Sequence, residues 1–430
     1  MKLELPRGMR DLDSNEFSNI NYIEEKFLDV IDLFNFKFME PSPLELLSTL
    51  ETKSGATISN EIYSFVDKGE RKVALRFDLT VGLTRFVVCR RDLKLPAKVA
   101  AFSGVWRYDE PQAGRYRYFH QWDVEIYDSF NHESDAEVIE FVSVFFKKLG
   151  LDVIIDINDR QLMEEFVKNK LHVQEESSIL EIFRAVDKVP KKGSARVLEE
   201  YSRIIEPSKL QRLIDISTRK GTIDQVLEDS KANMHELKSW NNLTDLMDSL
   251  SARGVKNARV NLGIVRGLDY YSGVVFEAFD PSVGIGALVG GGRYDRLTEA
   301  LGRNDIGATG AAGGVERITF ALQKHGILRS KPRPLVYVAY TSSTVYRNTL
   351  ELVSKLRENQ IIADYDMQGK ALRKQLDEAS TKHALVTIIV APDEIKKGLV
   401  TMRTMQDGTE VKQDLDGIVK KLNETIFTLF

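Results

Sequence analysis

Two strand-rich parts of the chain are separated by a helical part, and this arrangement most limits the folds that the chain can adopt. Strand-period alternation dominates from about 72 to 127, in KVALRFDLT, KVAAFSGVWRYD and RYRYFHQWDVEIY. From about 160 to 255, apolar residues recur at helical spacing and strand patterns are almost absent. Strand patterns resume in ARVNLGIVRGLDYYSGVVFEAF. The sequence therefore predicts a largely antiparallel sheet that is completed across a helical insertion.

The two ends of the chain add further units. Apolar residues at helical spacing over 15–35 are followed by a strand pattern over 36–41 that ends in proline. Near the other end, the prolines of KPRP predict a stiff linker at Ser330–Pro334. After that linker, strand patterns alternate with helical patterns. This alternation predicts a small α/β domain with a mostly parallel sheet.

Composition excludes several classes of protein. The 430 residues, of which 43% are hydrophobic and 29% charged, are typical of a folded multidomain protein and not of a disordered chain. Cys89 is the only cysteine, so neither an intrachain disulfide nor a thiolate zinc site can form. No stretch approaches the roughly 18 apolar residues of a membrane span, and MKLELPRGMRDLDSNEF lacks the apolar run of a signal peptide. We therefore expect a cytoplasmic protein without membrane segments, whereas the net charge of −4 leaves nucleic-acid binding undecided.

One predicted strand, 115–127, sorts its side chains by polarity. Side chains alternate between the two faces of a strand. One face carries Arg115, Arg117, Gln121, Asp123 and Glu125, and the other carries Tyr116, Tyr118, Trp122, Val124 and Ile126. A charged face that is merely exposed to water needs no order among its charges. Two arginines at one end and two carboxylates at the other favour a face that holds a polyanion beside a cationic or hydrogen-bond-donating group.

Two neighbouring segments contribute polar side chains of the same kinds. Arg107 and Arg115 flank a polar hairpin loop and can converge on one anion, because the arginine fork donates bidentately to phosphate. In LRFDLT, the alternation of Arg76, Asp78 and Thr80 predicts that they share one face of a strand. Simple exposure of that face to solvent is the alternative for LRFDLT.

The string RGLDYYSG, which begins at Arg266, is less ordinary. Tyr270 and Tyr271 would face oppositely in an extended chain, so that one packs in the core and the other points into a site. Two tyrosines that only fill a sheet are the alternative. Downstream, the glycines of 290–292 and of GATGAAGG either form turns or let the backbone approach a flat ligand, and Arg317 follows in the first turn of a helix. Neither a P-loop nor a GxGxxG fingerprint is present.

Together these strings resemble the class II aminoacyl-tRNA synthetases and, among them, the histidyl-tRNA synthetase family. The unit at 15–41 is similar to the first class motif, the hairpin from Arg107 through Glu125 to the second, and GATGAAGGVERI with Arg317 to the third. RGLDYYSG and GRYRYFHQ select the histidine enzymes, and LPRGMRD agrees with them. The resemblance implies an α+β fold, with an antiparallel sheet flanked by helices, a helical insertion and a C-terminal α/β anticodon-binding domain.

The resemblance also implies how the chain is divided. The first part of the catalytic domain, with motifs 1 and 2, would be 1–158, and the helical insertion would be 159–256. The second part of the catalytic domain, with RGLDYYSG and motif 3, would be 257–328, and the anticodon-binding domain would be 333–430.

Site residues follow from the same resemblance. It implies that ATP is bound by Arg107, Asp109, Arg115 and Arg317, and histidine by Asp78, Thr80, Gln121, Glu125, Arg266, Tyr270 and Tyr271. Arg107 and Arg266, both against the α-phosphate, are the expected catalytic residues. Asp78 and Asp109 stand where many relatives have glutamate, so the carboxylate is kept and its reach is shorter by one methylene.

The implied activity is the ATP-dependent attachment of histidine to tRNA(His) through a histidyl-adenylate, with release of AMP and diphosphate. The expected ligands are ATP, Mg²⁺ carried with ATP, L-histidine and tRNA(His), and the expected assembly is a homodimer; a separate protein metal site stays unassigned. The alternatives are a histidine-sensing regulatory subunit of ATP phosphoribosyltransferase, a tRNA-binding or sensing module, and a class II enzyme for glycine, proline or threonine. The intact arginines and the extra C-terminal domain disfavour the first, the ATP-site arginines disfavour the second, and RGLDYYSG disfavours the third.

Overall fold

The computed structural model of the chain describes residues 3–54, 60–109, 116–128, 130–203, 205–229, 234–265, 270–328 and 334–429. The chain divides into two compact units, Met1–Arg329 and Ser330–Phe430. Each unit has its own hydrophobic core. Within the described residues, no helix combines the length and the apolar character needed to cross a bilayer.

The first unit mixes short strands with helices throughout its length. Its strands are β1 (Lys37–Phe38), β2 (Leu44–Leu46), β3 (Ser64–Val66), β4 (Lys72–Leu75), β5 (Ala97–Trp106), β6 (Tyr118–Asp128), β7 (Ile154–Asp159), β8 (Lys220–Gly221), β9 (Ala258–Asn261), β10 (Val274–Phe279), β11 (Val289–Arg293) and β12 (Gly307–Gly314). Its helices are α1 (Ser14–Leu33), α2 (Leu47–Ser54), α3 (Thr80–Cys89), α4 (His132–Leu149), α5 (Arg160–Lys170), α6 (Glu176–Lys192), α7 (Ser194–Tyr201), α8 (Pro207–Ser217), α9 (Ile223–Asp229), α10 (Lys238–Ala252), α11 (Asp295–Ala300) and α12 (Val315–Lys324).

Among the described residues, nine of these strands form one sheet in the order β1-β5-β6-β12-β11-β10-β7-β9-β8. Only the pairs β1–β5 and β7–β9 of that sheet are parallel. Strand β6 pairs with β12, which lies beyond the helical part of the chain. The predicted α+β fold, an antiparallel sheet flanked by helices and completed across the insertion, is confirmed.

Helices α1 and α4 pack on one face of this sheet. Helix α1 begins at a capping box, in which the Asp13 carboxylate accepts the backbone N–H of Glu16 at 2.8 Å. Its apolar stripe buries Phe27, whose ring centroid lies 5.7 Å from that of Trp122 in β6 and 5.7 Å from that of Phe145 in α4. Because side chains alternate along β6, the polar residues on either side of Trp122 face away from this core.

The helical part of the first unit contains α5 to α10 and the two-residue strand β8. Apolar side chains of these helices, such as Phe166, Leu213 and Leu246, are fully buried and belong to the same hydrophobic core as Trp122. Each of these helices therefore packs an apolar stripe into the core of the first unit, as the helical spacing of its apolar residues predicts.

A second, three-stranded sheet has the order β2-β4-β3, and the segment after β4 corrects one prediction. Arg76, Asp78 and Thr80 do not share a strand face, because strand β4 ends at Leu75 and helix α3 begins at Thr80. Arg76 is 4% exposed and donates to the backbone carbonyl oxygens of Pro41 at 2.5 Å and Gly104 at 2.8 Å. The guanidinium of Arg76 is therefore used to hold the scaffold together.

The second unit is a small α/β domain. Its strands are β13 (Val336–Tyr340), β14 (Ala363–Tyr365), β15 (Val386–Val390), β16 (Leu399–Thr404) and β17 (Glu410–Asp414), and its helices are α13 (Tyr346–Glu358), α14 (Leu372–Thr381), α15 (Pro392–Ile395) and α16 (Ile418–Leu429). The sheet order is β14-β13-β15-β16-β17. The prediction of a mostly parallel sheet is confirmed for the neighbours β14, β13 and β15, which are parallel. It is wrong for β16, which is antiparallel to β15 and β17. A short turn joins β16 to β17, and such a turn can connect only antiparallel strands.

Candidate active site

A cavity of about 410 Å³ lies against the polar face of β6 and between the strands and helices that surround it. Nine of the residues singled out from the sequence line this cavity: Asp78, Thr80, Arg107, Asp109, Gln121, Glu125, Tyr270, Tyr271 and Arg317. The other two, Arg115 and Arg266, lie outside the described residues. Side chains that are more than 200 positions apart in sequence thus meet at one place.

The lining residues fall into two groups that differ in exposure. The group that we term the buried wall consists of Asp78, Thr80, Gln121, Glu125, Tyr271 and Tyr294, each at most 5% exposed. The group that we term the rim consists of Glu61, Arg107, Asp109, Tyr116, Glu316 and Arg317, which are half-buried or exposed. A ligand in this cavity is therefore enclosed on one side and reaches solvent on the other.

The glycine-rich segment GATGAAGG forms strand β12 and not the turns considered above. Its Gly310 lies opposite Glu125 in the pairing of β12 with β6. A Cβ atom at position 310 would overlap the Glu125 carboxylate. Glycine is thus required here because the carboxylate of the buried wall lies directly against the backbone of the neighbouring strand.

A tyrosine that sequence reasoning missed holds the Glu125 carboxylate. The Tyr294 hydroxyl donates to Glu125 and lies 3.5 Å from the Tyr127 hydroxyl. Burial, reinforced by the negative charge of Glu125, raises the pKa of Tyr294 and of Tyr127 well above its ordinary value. Both phenols keep their protons, so Tyr294 acts as a donor and Glu125 presents a carboxylate whose orientation is fixed.

A chain of hydrogen bonds links the buried wall to the rim. The Thr80 hydroxyl donates to Asp123 at 3.0 Å, and the side-chain amide N–H of Gln121 donates to the same carboxylate at 2.8 Å. The carbonyl oxygen of Gln121 accepts from the Arg107 guanidinium at 3.1 Å. Arg107 also donates to the backbone oxygen of Phe77 at 2.9 Å. Four polar side chains are therefore oriented as one connected network.

Three further residues that the resemblance assigns to histidine, Asp78, Tyr270 and Tyr271, also line the cavity. Asp78 accepts the backbone N–H of Val81 at 3.2 Å, in the first turn of α3. The rings of Tyr270 and Tyr271 lie 4.3 Å apart with an interplanar angle of 34°, and both line the cavity. The two tyrosines were expected to face oppositely only in an extended strand, and this condition is not met, because both precede β10, which begins at Val274.

The rim contains a cation fixed at the start of a helix. Arg317 lies in the first turn of α12 and donates to the backbone oxygen of Ile285. Its neighbour Glu316 accepts the backbone N–H of His120, with both carboxylate oxygens 3.0 Å from that nitrogen. Helix α12 is thereby tied to β6 beside the cavity.

The residues that precede β6 depart from the predicted alternation because the strand begins only at Tyr118. Arg117, predicted on the polar face, is 8% exposed and donates to the backbone oxygens of Asp109 at 3.2 Å and Arg7 at 3.1 Å. Tyr116, predicted on the opposite face, lines the rim. Arg117 therefore fixes the backbone at Arg7 and Asp109. Tyr116, and not Arg117, lines the cavity.

Sequence reasoning missed Glu61, Tyr116, Phe119, Tyr294 and Glu316 among the lining residues. Two of these residues are direct sequence neighbours of features that the sequence analysis singled out. Tyr294 directly follows the glycine-rich strand β11, and Glu316 directly precedes Arg317. Glu61 lies outside any regular pattern, and only the folded chain brings it to the cavity.

The antiparallel sheet carries this cavity on its polar face, and Arg107 of the second motif and Arg317 of the third line it. This combination defines a class II aminoacyl-tRNA synthetase. A family model described as histidyl-tRNA synthetase matches residues 8–318, and one described as anticodon binding domain matches residues 335–425. The chain belongs to the histidyl-tRNA synthetase family.

Individual relatives agree with the family models. The histidine–tRNA ligase of Thermococcus kodakarensis is 33% identical over 436 residues, which cover 98% of each chain. That of Pyrococcus furiosus is 32% identical over 434 residues, which cover 99% of this chain and 100% of the relative. Among solved structures, the histidyl-tRNA synthetase from Nostoc sp. PCC 7120 has the same fold, with a TM-score of 0.80 at 23% identity and 99% coverage of both chains.

Proposed function

We propose that this chain catalyses the ATP-dependent attachment of histidine to tRNA(His), through a histidyl-adenylate and with release of AMP and diphosphate. The observation that carries the proposal is one cavity in which a buried wall of carboxylates, hydroxyls and an amide adjoins a rim with two arginines. The wall suits the α-ammonium group and the hydrogen-bonding ring of a small amino acid, and the rim suits a triphosphate. The family assignment supports the same activity.

The imidazole ring of histidine is assigned to Glu125 and Tyr271. A neutral imidazole has one N–H donor and one nitrogen acceptor, so a carboxylate and a phenol satisfy both ends at once. Glu125 is 1% exposed and Tyr271 is 5% exposed, so a competitor that left either group unpaired would forfeit a buried hydrogen bond. Readout of this kind discriminates by about 10⁴ to 10⁵, which is sufficient without a separate editing site.

The charged groups of histidine are assigned to neighbouring residues. Asp78, Thr80 and Gln121 present oxygen atoms to the α-ammonium group, and Arg266 binds the α-carboxylate. Tyr270 stacks beside Tyr271 and closes the amino-acid side of the cavity. The ATP is assigned to Arg107, Asp109, Arg115 and Arg317, with the α-phosphate at Arg107.

Catalysis requires positioning and charge neutralisation and no enzyme nucleophile. A carboxylate oxygen of histidine attacks the α-phosphorus of ATP in line, a new O–P bond forms, and the bond to the β-phosphate oxygen breaks with release of diphosphate. Negative charge increases on the oxygens of the α-phosphate, and Arg107 and Arg266 neutralise it. The 3′-hydroxyl oxygen of the terminal tRNA nucleotide then attacks the histidyl carbonyl carbon, and AMP leaves.

Magnesium enters this scheme with the nucleotide. Among the described residues, no group of three or more His, Cys, Asp or Glu side chains is arranged to hold a metal ion. Glu61 and Asp109 place carboxylates at the rim, which suits a divalent cation that arrives coordinated to phosphates and keeps much of its water. The metal would offset phosphate charge while the arginines orient the α-phosphate.

The parts of the chain receive separate roles in this proposal. Residues 1–158 and 257–328 form the catalytic domain, 159–256 is a helical insertion within it, and 333–430 binds the anticodon region of tRNA(His). The match of 335–425 to an anticodon-binding-domain model supports the last assignment. An enzyme of protein synthesis that acts on tRNA is expected to work in the cytoplasm.

We further propose a homodimer that is formed through the helix–strand unit at 15–41. Three apolar side chains of this unit are exposed in the single chain, with exposed fractions of 51% for Phe17, 73% for Leu33 and 46% for Phe38. Burial of such side chains against a second copy would remove apolar surface from water. Sedimentation equilibrium tests this, and a mass that stays monomeric at all concentrations contradicts it.

The deciding experiment is amino-acid-dependent exchange of labelled pyrophosphate into ATP, with magnesium, without tRNA, and with each of the twenty amino acids. Exchange with histidine alone is the expected result. Charging of a tRNA(His) transcript with labelled histidine then tests the second step.

Binding of histidine without exchange would instead favour a histidine-sensing protein. This outcome is tested because the fold is shared with a solved protein from Bacillus halodurans C that is described as an ATP phosphoribosyltransferase regulatory subunit/histidyl-tRNA synthetase. The TM-score with that structure is 0.75 at 21% identity.

A further inference from the structure

Asp123 is a fully buried carboxylate that does not itself line the cavity, although two of its hydrogen-bond partners do. It lies on β6 between Gln121 and Glu125 and faces the same side of the sheet as both. Burial of a carboxylate is unfavourable unless donors satisfy it, so its place behind the cavity wall calls for a role.

Two donors to Asp123 are side chains of the buried wall. The Thr80 hydroxyl donates at 3.0 Å and the Gln121 amide N–H donates at 2.8 Å. A hydroxyl has one hydrogen, so Thr80, having given its hydrogen to Asp123, can only accept through the lone pairs that remain. The Gln121 amide is fixed in the same way, because its N–H side faces Asp123 and its oxygen faces the Arg107 guanidinium at 3.1 Å. A flipped amide would place its oxygen against a carboxylate and its hydrogens against a cation.

We propose that Asp123 is a positioning residue for the α-ammonium group of the amino-acid substrate, because it withdraws the hydrogens of Thr80 and Gln121 and leaves both as oxygen acceptors for a cation. The inference rests on the proposed function, since it requires an amino acid in the buried wall. Its partner Gln121 connects the ammonium site to Arg107, the arginine assigned to the α-phosphate.

The test is Asp123→Asn, which keeps the size of the side chain and changes only its hydrogens and charge. The carboxamide can accept through its oxygen but must donate through its nitrogen, so one partner, Thr80 or Gln121, would have to reverse. That partner would then direct hydrogens at the ammonium group. Binding of histidine and of 3-(imidazol-4-yl)propionate, which lacks the α-amino group, is measured by calorimetry for both proteins.

We expect Asp123→Asn to weaken histidine roughly ten- to hundredfold and to change the affinity for 3-(imidazol-4-yl)propionate less than about threefold, because only histidine carries the ammonium group. The same selectivity should appear in the exchange assay as a raised KM for histidine with a nearly unchanged KM for ATP. Equal losses for the two ligands, or no loss for either, would overturn the inference. A purely structural role of Asp123 predicts the equal losses.

Asp156→Asn is the matched control. Asp156 is also a buried strand carboxylate, at 5% exposure, and accepts from Arg259 at 2.6 Å and Asn261 at 2.7 Å, away from the cavity-lining residues. Its substitution should leave the ratio of the two affinities unchanged even if it lowers the melting temperature.

A second pair of variants keeps the inference testable if Asp123→Asn does not fold. Thr80→Ser retains the hydroxyl and should keep the preference for histidine, whereas Thr80→Val should lose affinity for histidine and not for 3-(imidazol-4-yl)propionate. Equal behaviour of the two variants would overturn the inference. Wild-type protein that neither binds histidine nor supports exchange would overturn the proposed function as well, whereas intact wild-type exchange confines a failure to the role of Asp123.

Discussion

The buried wall and the rim of the cavity are built in different ways. Glu125, Gln121 and Thr80 of the wall are 1%, 3% and 5% exposed, and each is held by a hydrogen bond to another side chain. At the rim, Arg107 and Arg317 are half-buried, and each is anchored by a bond to a backbone carbonyl oxygen. The wall is thus held by hydrogen bonds between side chains, whereas the two arginines of the rim are anchored to the backbone.

Under the proposed function, the two groups serve different purposes within one cavity. Discrimination between similar amino acids needs buried polar groups that a wrong ligand leaves unpaired. Stabilisation of phosphate charge needs cations that can approach a large, solvent-reaching anion, and the arginine fork does this from a half-exposed position. Changes in the wall should therefore act on the KM for histidine, and changes at the rim should act on the rate of adenylation.

The largest expected effect is at the rim. Arg107→Ala removes a cation assigned to the α-phosphate, and we expect kcat for pyrophosphate exchange to fall about 10²- to 10³-fold at saturating histidine and ATP. The fold should persist because Arg107 is half-buried and its hydrogen bonds are few. A loss that is confined to the KM for histidine would place Arg107 in the wall and break the comparison.

The second effect comes from the backbone behind the wall. Gly310→Ala inserts a Cβ that overlaps the Glu125 carboxylate and lies 2.6 Å from the backbone oxygen of Val124. Glu125 and the local pairing of β12 with β6 must therefore shift, and the proposed imidazole site is displaced. We expect the KM for histidine to rise by about 10² or more, the equivalent of losing a charged hydrogen bond and its orientation. The KM for ATP, measured in the same exchange assay, should change much less.

Gly314→Ala is the control on the same strand. The nearest heavy atoms to a Cβ at position 314 are those of the Arg317 side chain at 3.8 Å, so the added methyl group fits without displacement. The KM for histidine should stay close to that of the wild type. A similar rise for both variants would indicate that β12 as a whole, and not the contact with Glu125, was disturbed.

A smaller effect is expected from Tyr294→Phe. The substitution removes the hydroxyl that donates to Glu125 and leaves the ring in place. We expect the KM for histidine to rise about tenfold, because one hydrogen bond to a charged group is lost. Tyr127→Phe, whose hydroxyl binds Thr84 at 2.9 Å and is one step further from Glu125, should have less effect in the same assay. The reverse order would show that Tyr294 does not orient Glu125.

The smallest effect on activity is expected for Asp159, a buried carboxylate outside the cavity. Its substitution should change stability and leave activity unchanged. Burial raises the pKa of Asp159 from 3.8 to about 7, although Asp159 does not line the cavity. The folded chain binds this proton more tightly than the unfolded chain, so the free energy of unfolding falls as pH rises from 3.8 to about 7. Asp159→Asn cannot titrate and still caps α5 through a side-chain oxygen.

The melting temperature of Asp159→Asn relative to wild type should therefore be higher near pH 8 than near pH 5, while pyrophosphate exchange is unchanged. Thermal unfolding at the two pH values checks the first statement, and the exchange assay checks the second. A constant difference in melting temperature would show that Asp159 has an ordinary pKa.

Much of the site was predictable because local patterns carry it. The alternation in β6 places Gln121, Asp123 and Glu125 on one face, and only the start of the strand was misjudged. That error misplaced Arg117 and Tyr116, because alternation holds only inside a strand. The prediction for Arg76 failed for the same reason, because β4 ends at Leu75 and Arg76 lies outside any strand.

The order of strands, helical insertion and C-terminal unit could be recognised from the amino-acid sequence alone, as could the residue types that suit a phosphate and an imidazole. Periodicity and residue chemistry are local properties, so they can be recognised before folding is considered. The folded chain was needed to see that Tyr294 holds Glu125, that Gly310 must lack a side chain, and that Asp123 joins Thr80 to Gln121. Each of these depends on which strands and helices become neighbours, and that choice is made by burial of the apolar faces of the whole chain.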